Sequence, residues 1–514
     1  MEEGPAGKVL LALLVSVLLL VLSKLKSLLV SSKPKLNLPP GPWTLPVVGS
    51  LHHLVARPTI YRAMRELVQK HGPLMLLRFG EVKMVVVTSS EGAQEVMKTQ
   101  DILFADRFLT ATRGALTFDG NDIAAAPYGE RWRQLRKICV LELLSATRVR
   151  SFRRIREEEV ARFLEKLTAA ASATTASATV DLTKMISMFI NDAFMRESIG
   201  SRCKYQDEYL DALNTAIRHT STLSVADLFP SSRLMQALST GPRTVLACRN
   251  RIQRILEQII RDKAEAMDRG EEEVAESFVG VLLRVQKERS TAIPLTNDTM
   301  VAVMFDMFAA GSETSSTTLN WCMTELVRSP AAMARSQAEV RDAFKGRGTI
   351  TEDDLEGLGY LKLVIKETLR LHPPIPLLPR KSREACRVMG YDIPKDTVVF
   401  VNGWAIGRDP RYWEDAEEFK PERFEGRVDI DYKGNNFEYL PFGSGRRSCP
   451  GTNLGVGNIE LALASLLYHF DWKLPHGIGP RDVDVSEAPG LVAGKKTSLV
   501  LRPVTRIPPA TNYA

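Results

Sequence analysis

One cysteine, Cys449, sits where a thiol has chemical work to do. It follows Phe442-Gly443-Ser444-Gly445-Arg446-Arg447-Ser448 and precedes Pro450-Gly451. The loop is glycine-rich and doubly basic, and an apolar helix is expected to open near Thr452, through Leu454, Ile459, Leu461, Leu463 and Leu466. Such a helix aims its N-terminal N–H groups and positive dipole end at the sulfur, which lowers a thiol pKa and holds a thiolate as a metal ligand. Gly445 and Gly451 let backbone approach a flat cofactor, Arg447 offers a cation to an acidic edge, and Phe442 screens the sulfur from water. Together these roles describe a haem held by one cysteine thiolate. Taken alone, Cys449 reads as an inert buried cysteine, since free cysteine ranks among the most buried residues.

Two further groups have chemically suggestive spacing. Glu313 and Thr314 pair a carboxylate with a hydroxyl inside a long apolar stretch from about Asn297 to Arg328. A mid-helix threonine commonly bonds back to the carbonyl four residues earlier, so this pair needs context before it reads as a proton path. Glu367 and Arg370 stand three apart on a helix and share a face, where Arg423 from a downstream segment can join them. Pairs of that kind are usually surface decoration.

The order of these motifs resembles the cytochrome P450 family. Phe-x-x-Gly-x-Arg-x-Cys-x-Gly at 442–451 is similar to its cysteine fingerprint, and Ala310-Gly311-Ser312-Glu313-Thr314-Ser315 to its oxygen-activation motif. Glu367-Thr368-Leu369-Arg370 and Phe419-Lys420-Pro421-Glu422-Arg423-Phe424 match the Glu-x-x-Arg pair and its third partner. Trp132 and Arg136 match Trp-x-x-x-Arg on the haem-contacting helix, and Pro39-Pro40-Gly41-Pro42 the hinge behind a membrane anchor. The resemblance covers essentially the whole chain. It implies a mostly α fold with a minor β-sheet, haem b with an axial cysteine thiolate, and Cys449 as the metal ligand. Trp132, Arg136, Arg380, Phe442, Arg447 and Gly451 are then the other cofactor contacts. Thr314 donates to bound dioxygen, Gly311 leaves room there, and Glu313 links the hydroxyl to solvent as a general acid. Glu367, Arg370 and Arg423 become a buried network that positions the cysteine loop.

If Thr314 faces haem, the substrate pocket lies along the same helix face. Ala302, Phe305, Asp306, Ala309 and Ala310 form a stripe at helical spacing that ends there. Asp306 is either satisfied by a neighbouring helix or touches a polar substrate group. Further lining is expected from Phe108 to Phe118, from Ile375, Leu377 and Leu378, and from Leu491 and Val492. The segment His372-Pro373-Pro374-Ile375-Pro376-Leu377-Leu378-Pro379-Arg380 is one residue shorter than plant relatives usually show. A one-residue change in an extended segment reverses which side chains face in. It leaves open which of Ile375, Leu377 and Leu378 line the pocket, and it bears on Arg380 as a propionate contact.

The elements around these residues follow from pattern. A small sheet is expected over Val47–Leu54 and Leu74–Val87, with Val82–Val87 its clearest strand. Helices dominate from about Glu91 to Leu371, with breaks at Pro127, Pro230, Pro242 and Pro294. Thr168–Thr179 and the acidic run Asp268–Glu276 read as surface connections. Past Pro373 come short strands, including Val398–Asn402, before the cysteine loop. At 514 residues the length alone suggests several domains, but the motifs must converge on one cofactor.

Six cysteines show no paired spacing, which argues against a disulfide framework and a structural zinc site. A net charge of +7 is modest for this length, and no reader motif points to nucleic acid. Arg131, Arg133, Arg136 and Lys137 cluster on the haem-contacting helix and suit either an acidic protein partner or an anionic membrane surface. Val9 to Leu22 holds one polar residue, Ser16, and Leu25–Val30 extends its apolar character. No small-x-small cleavage site follows, and Lys24, Lys26, Lys33 and Lys35 outweigh Lys8. Residues 1–30 therefore read as a single-pass anchor, 31–46 as a basic, proline-rich hinge, and 47–514 as the catalytic domain. The catalytic domain should face the cytosol from the endoplasmic reticulum membrane.

Leu38-Pro39-Pro40-Gly41-Pro42-Trp43-Thr44-Leu45-Pro46 and Tyr439–Arg447 resemble the plant 71 family in particular, whose grass members include oxidases of sesquiterpene and diterpene olefins. The resemblance implies a monooxygenase using O2 on an apolar small molecule, with electrons from NADPH through a diflavin reductase. No GxGxxG fingerprint follows a strand, so the chain should not bind NADPH itself. Alternatives are an indole or phenylpropanoid substrate, a haem-thiolate isomerase or dehydratase, and a non-catalytic pathway scaffold.

Overall fold

Residues 36–509 are described by the computed structural model, apart from 55–56, 58, 173–178, 272–275 and 290. The expected anchor, residues 1–30, lies outside the described residues. Among those described, no helix is long and apolar enough to cross a membrane. From the hinge, Pro40 offers its carbonyl to the Leu76 N–H at 2.8 Å, and Asn37 donates its N–H to Asp392 Oδ2 at 2.8 Å. The proline segment is thus bonded along the domain edge.

The helices that position the site are α1 (Glu130–Ile138), α2 (Arg153–Ala171), α3 (Leu182–Ile199), α4 (Gly241–Asp268), α5 (Asn297–Arg328), α6 (Gly359–Leu371) and α7 (Thr452–His469). α5 has the bounds expected from the sequence. Thr296 caps it by accepting the Thr299 N–H at 3.2 Å, and Pro330 disfavours helical geometry at the residue before it. Pro242 starts α4 in its first turn, where its missing N–H costs nothing. α2 runs on to Ala171, into the stretch expected to be a connection, because alanine is the strongest helix former. α7 is apolar nearly all round, and α5 mixes apolar residues with small hydroxyl residues that bond back to its own carbonyls, so both are buried against α2 and α3 as the centre of the core. Met304, Leu319 and Met323 of α5, and Leu463 and Leu466 of α7, are fully enclosed. Each such side chain contributes about 1.5–3 kcal/mol through burial.

The main sheet is β1 (Leu74–Phe79), β2 (Val82–Val87), β3 (Leu377–Lys381) and β4 (Val398–Asn402), in the order β1-β2-β4-β3. β1 and β2 form a hairpin, β4 runs parallel to β2, and β3 closes antiparallel on β4. The sheet expected over Val47–Leu54 is not formed. Val47 and Gly49 turn through left-handed backbone (φ 68° and 67°), leaving isolated bridges at Gly49 and a 3-10 turn at Leu51–His53.

Register answers the question that the short segment before Arg380 left open. Leu378 pairs with Val401 and Arg380 with Val399, so both point to one face of β3. Leu378 lies beside Gly443 of the cysteine loop. Leu377 points the other way, against the cluster of Tyr61, Trp404, Ala405 and Ala493. Ile375 packs with the Leu378 cluster.

Candidate active site

The cysteine loop is built by close backbone contacts. Cys449 donates its N–H to the Phe442 carbonyl at 2.9 Å, and Thr452 Oγ1 donates to the Cys449 carbonyl at 3.3 Å. Gly443 and Gly445 both sit at φ 69°, which favours glycine. An added Cβ at Gly445 would strike the Met97 carbonyl and Asp101, so that glycine serves protein packing rather than the approach of a cofactor. At Gly451 the nearest atom to an added Cβ is the Cys449 sulfur, at 3.9 Å, so the space beside the sulfur stays open. Phe442 packs edge-on against Tyr432. Cys449 is accessible, yet burial is the largest influence on its thiol, so the sulfur opens into a cleft enclosed by the fold. Burial pushes the thiol pKa up, and the Gly451 N–H, Arg136 and Thr452 oppose it without reversing it. The net direction is opposite to that expected from the helix end alone. A bound cation is what brings such a thiol to thiolate.

Four guanidinium groups crowd one side of this loop. Arg447 donates to the carbonyls of Ala105 (2.7 Å), Ile123 (3.1 Å) and Ala126, and lies 4.3 Å over the Trp132 ring. Trp132 spends its indole N–H on the Ile123 carbonyl at 3.0 Å. It therefore serves as the platform under Arg447, since indole has no second donor. Arg136 reaches Ser448 Oγ at 3.3 Å, and Arg380 reaches the Ser444 carbonyl at 3.3 Å. The fourth, Arg107, had no sequence signal. It lies outside any helix, and donates to the carbonyls of Ala124 and Pro379. Burial and then the neighbouring Arg380, Arg447 and Arg136 pull the Arg107 pKa down, and burial and Arg447 pull Arg380 to about 10. The buried Nε of Arg380 has no acceptor. Crowded, partly unpaired cations next to an accessible thiol fit a flat metal cofactor carrying its own carboxylates, and haem meets that description.

Across the cleft, α5 presents two rows. Ala310 is exposed and Ala309 and Thr314 are part-exposed, whereas Ser315 is buried. An added Cβ on Gly455 of α7 would lie 3.6 Å from Ser315 Oγ, so the turn carrying Thr314 rests on the helix that follows Cys449. Thr314 Oγ1 donates to the Ala310 carbonyl at 2.7 Å. Burial raises the pKa of Glu313 and favours its neutral acid. Gly311 is part-exposed, but its Cβ direction points at protein and not at the cleft: the ring edge of Phe194, from α3, fills the place of its missing Cβ.

The remaining pocket stripe divides along α5. Ala302, Phe305 and Asp306 are buried, and a loop packs on the last two. Phe118 packs on Phe305 with centroids 5.3 Å apart, and Asp306 Oδ2 accepts the N–H groups of Ile123 (2.7 Å) and Ala124 (3.2 Å). The partner of Asp306 is thus loop backbone rather than a neighbouring helix. Asp122 Oδ1 accepts the next two, from Ala125 (2.6 Å) and Ala126 (3.1 Å). Burial, then Asp122, raise the pKa of Asp306. Phe108 leaves the pocket side and packs with the β1–β2 hairpin cluster. Leu491 is exposed, its N–H 3.4 Å from Ser221 Oγ, while Ala493 two residues on is held by Trp321.

Glu367 and Arg370 of α6 are fully buried and bonded twice, at 2.7 and 2.8 Å. Arg423 Nε joins Glu367 at 2.9 Å, and Arg370 also donates to the carbonyls of Gly407, Ala416 and Glu418. The network ties α6 to the irregular chain leading into the cysteine loop.

Comparison with known proteins agrees with this arrangement. A profile described as "Cytochrome P450" matches residues 39–501. The chain is 66% identical over 505 residues to maize (Zea mays) dolabradiene monooxygenase, covering 98% of this chain and 99% of that one. Maize zealexin A1 synthase matches equally, at 66% over 505 residues with the same coverage. Rice (Oryza sativa subsp. japonica) ent-cassadiene hydroxylase is 56% identical over 514 residues, covering 98% of each chain. The chain belongs to the cytochrome P450 family, which uses haem with a cysteine thiolate axial ligand, and it is a monooxygenase.

Proposed function

We propose that this monooxygenase inserts one oxygen atom into a C–H or C=C bond of a sesquiterpene or diterpene olefin, in plant defence metabolism. Electrons come from NADPH through a membrane-bound diflavin reductase. The chain works from the endoplasmic reticulum membrane, tethered by residues 1–30, with its catalytic domain in the cytosol.

Bound haem supplies the redox chemistry at its iron. Cys449 is the residue that holds that iron, and Arg107, Arg136, Arg380 and Arg447 hold the cofactor's carboxylates. The Glu367–Arg370–Arg423 network keeps the cysteine loop in place. Thr314 Oγ1 holds a proton at the cleft wall, and Glu313, favoured in its acid form, resupplies it.

One observation carries the substrate class. Asp306, the acidic member of the α5 stripe, is bonded away into the backbone of Ile123 and Ala124. Ala309 and Ala310 are left as the stripe members that are not buried, and sites for apolar ligands use few polar groups. The names of the maize and rice relatives point to the same class. The test is a panel of sesquiterpene and diterpene olefins, their first alcohols, simple phenylpropanoids and indoles, given to the haem-loaded chain with reductase. Terpenes should displace the iron's water, shift the haem spectrum and yield product. A shift and product from an indole or phenolic acid alone would end the terpenoid reading.

A further inference from the structure

Gly311 and Phe194 occupy each other's space: any side chain at 311 would enter the ring edge of Phe194. Phe194 is 4% exposed and packed within the main core cluster, so its ring is held by surrounding side chains rather than by solvent. Neighbouring residues on an α-helix are turned by about 100°. That step separates the cleft-facing row, Ala310 and Thr314, from the protein-facing row, Gly311 and Ser315. The protein-facing row is held from two helices, by Phe194 of α3 at Gly311 and by Gly455 of α7 at Ser315.

We infer that Phe194 is a positioning residue for the oxygen-activating turn. Seated at Gly311, its ring sets the rotation of α5 that turns Ala310 and Thr314 to the cleft. Gly311 is small in order to admit Phe194, not to leave room above the iron. The inference rests on the proton-handling role of Thr314, and it names a residue outside the motif on which that role depends.

The experiment is a cycle in the full-length, haem-loaded chain with reductase: Gly311→Ala, Phe194→Ala and the double variant. Thermal midpoint, haem content and product formed per NADPH are measured for each. Gly311→Ala should load little haem and melt earlier, because the new methyl meets the ring and forces α5 to shift. Adding Phe194→Ala should restore midpoint and haem content and at least half of the lost coupling. Phe194→Ala alone should fold and load haem but release severalfold more peroxide per NADPH. If Gly311→Ala gives no protein, recovery of soluble, haem-loaded double variant is the readout. A double variant as unstable as Gly311→Ala would show that the ring is not what the methyl meets. One with restored stability but coupling no better than Gly311→Ala would return Gly311 to the cleft side and overturn the inference. Thr314→Ala is run alongside. Should it leave coupling unchanged, the proton reading fails, while the midpoints still decide the seating of Phe194.

Discussion

Arg447 and Trp132 share one acceptor. Both donate to the carbonyl oxygen of Ile123, at 3.1 and 3.0 Å, while the N–H of the same residue is held by Asp306 at 2.7 Å. One residue, through the two peptide groups that flank it, thus joins the cysteine loop, the α1 platform and the central helix. The loop 122–126 is clamped by carboxylates on its N–H side and by a guanidinium on its carbonyl side.

Asp306→Ala should therefore act on the cysteine side of the molecule. It leaves the N–H groups of Ile123 and Ala124 without their acceptor, at about 1–3 kcal/mol each. Thermal unfolding should come earlier and haem should be lost faster to apomyoglobin. Asp306→Asn keeps an acceptor oxygen and should behave nearly as wild type. Equal effects of the two variants would mean that charge, not the loop clamp, is what matters.

Cys449→Ser should abolish the thiolate-type carbon monoxide band, because a neutral hydroxyl cannot donate charge to iron as sulfur does. Persistence of that band would put the iron on another cysteine.

Thr314→Ala should leave haem content normal and divert reducing equivalents to peroxide. Product per NADPH should fall by up to about 100-fold, the low end of what a positioned proton donor contributes. Peroxide and product, titrated against NADPH consumed, give the ratio.

Glu367→Ala should fail to yield haem-loaded protein. Removing one member of a buried ion pair costs about 3–5 kcal/mol, and here Arg370 and Arg423 both lose their counterion. Normal haem loading would show that the carbonyls of Gly407, Ala416 and Glu418 suffice to hold Arg370.

Glu197 makes stability depend on pH. Burial, which outweighs Arg156 at 3.4 Å, pushes its pKa up from 4.5 to about 7. The folded chain binds this proton more tightly than the unfolded chain does. The resulting contribution is fully present below the unfolded value and is lost as pH rises through the folded one. The thermal midpoint of wild type should fall between about pH 5 and about pH 8 by more than that of Glu197→Gln. Parallel curves would exclude Glu197 as the source.

Much of the site was legible because its chemistry is local in the chain. The cysteine loop, the Glu313–Thr314 pair and Glu367–Arg370 lie within single segments, where spacing on a helix or turn sets who faces whom. The bounds of α5 and the start of α7 were readable for the same reason: caps, prolines and apolar runs act over a few residues. What escaped were contacts between segments far apart. Arg107 carries no periodic pattern, and its role comes from Arg380 and Arg447 converging on it in space. Gly311 reads as a gap in a helix, and only the packing of α3 shows that Phe194 fills it.

The amino-acid sequence by itself determined the family and the cofactor chemistry, and it singled out the cysteine loop, the Glu313–Thr314 pair and Glu367–Arg370, since each follows from residue type at short spacing. Tertiary structure alone decided which way shared side chains turn. The pairing of β3 with β4 put Leu378 and Arg380 on one face and Leu377 on the other. The loop 122–126 drew Asp306 out of the pocket. Burial outweighed the helix end at Cys449, because desolvation depends on everything packed around a group and not on its neighbours in the chain.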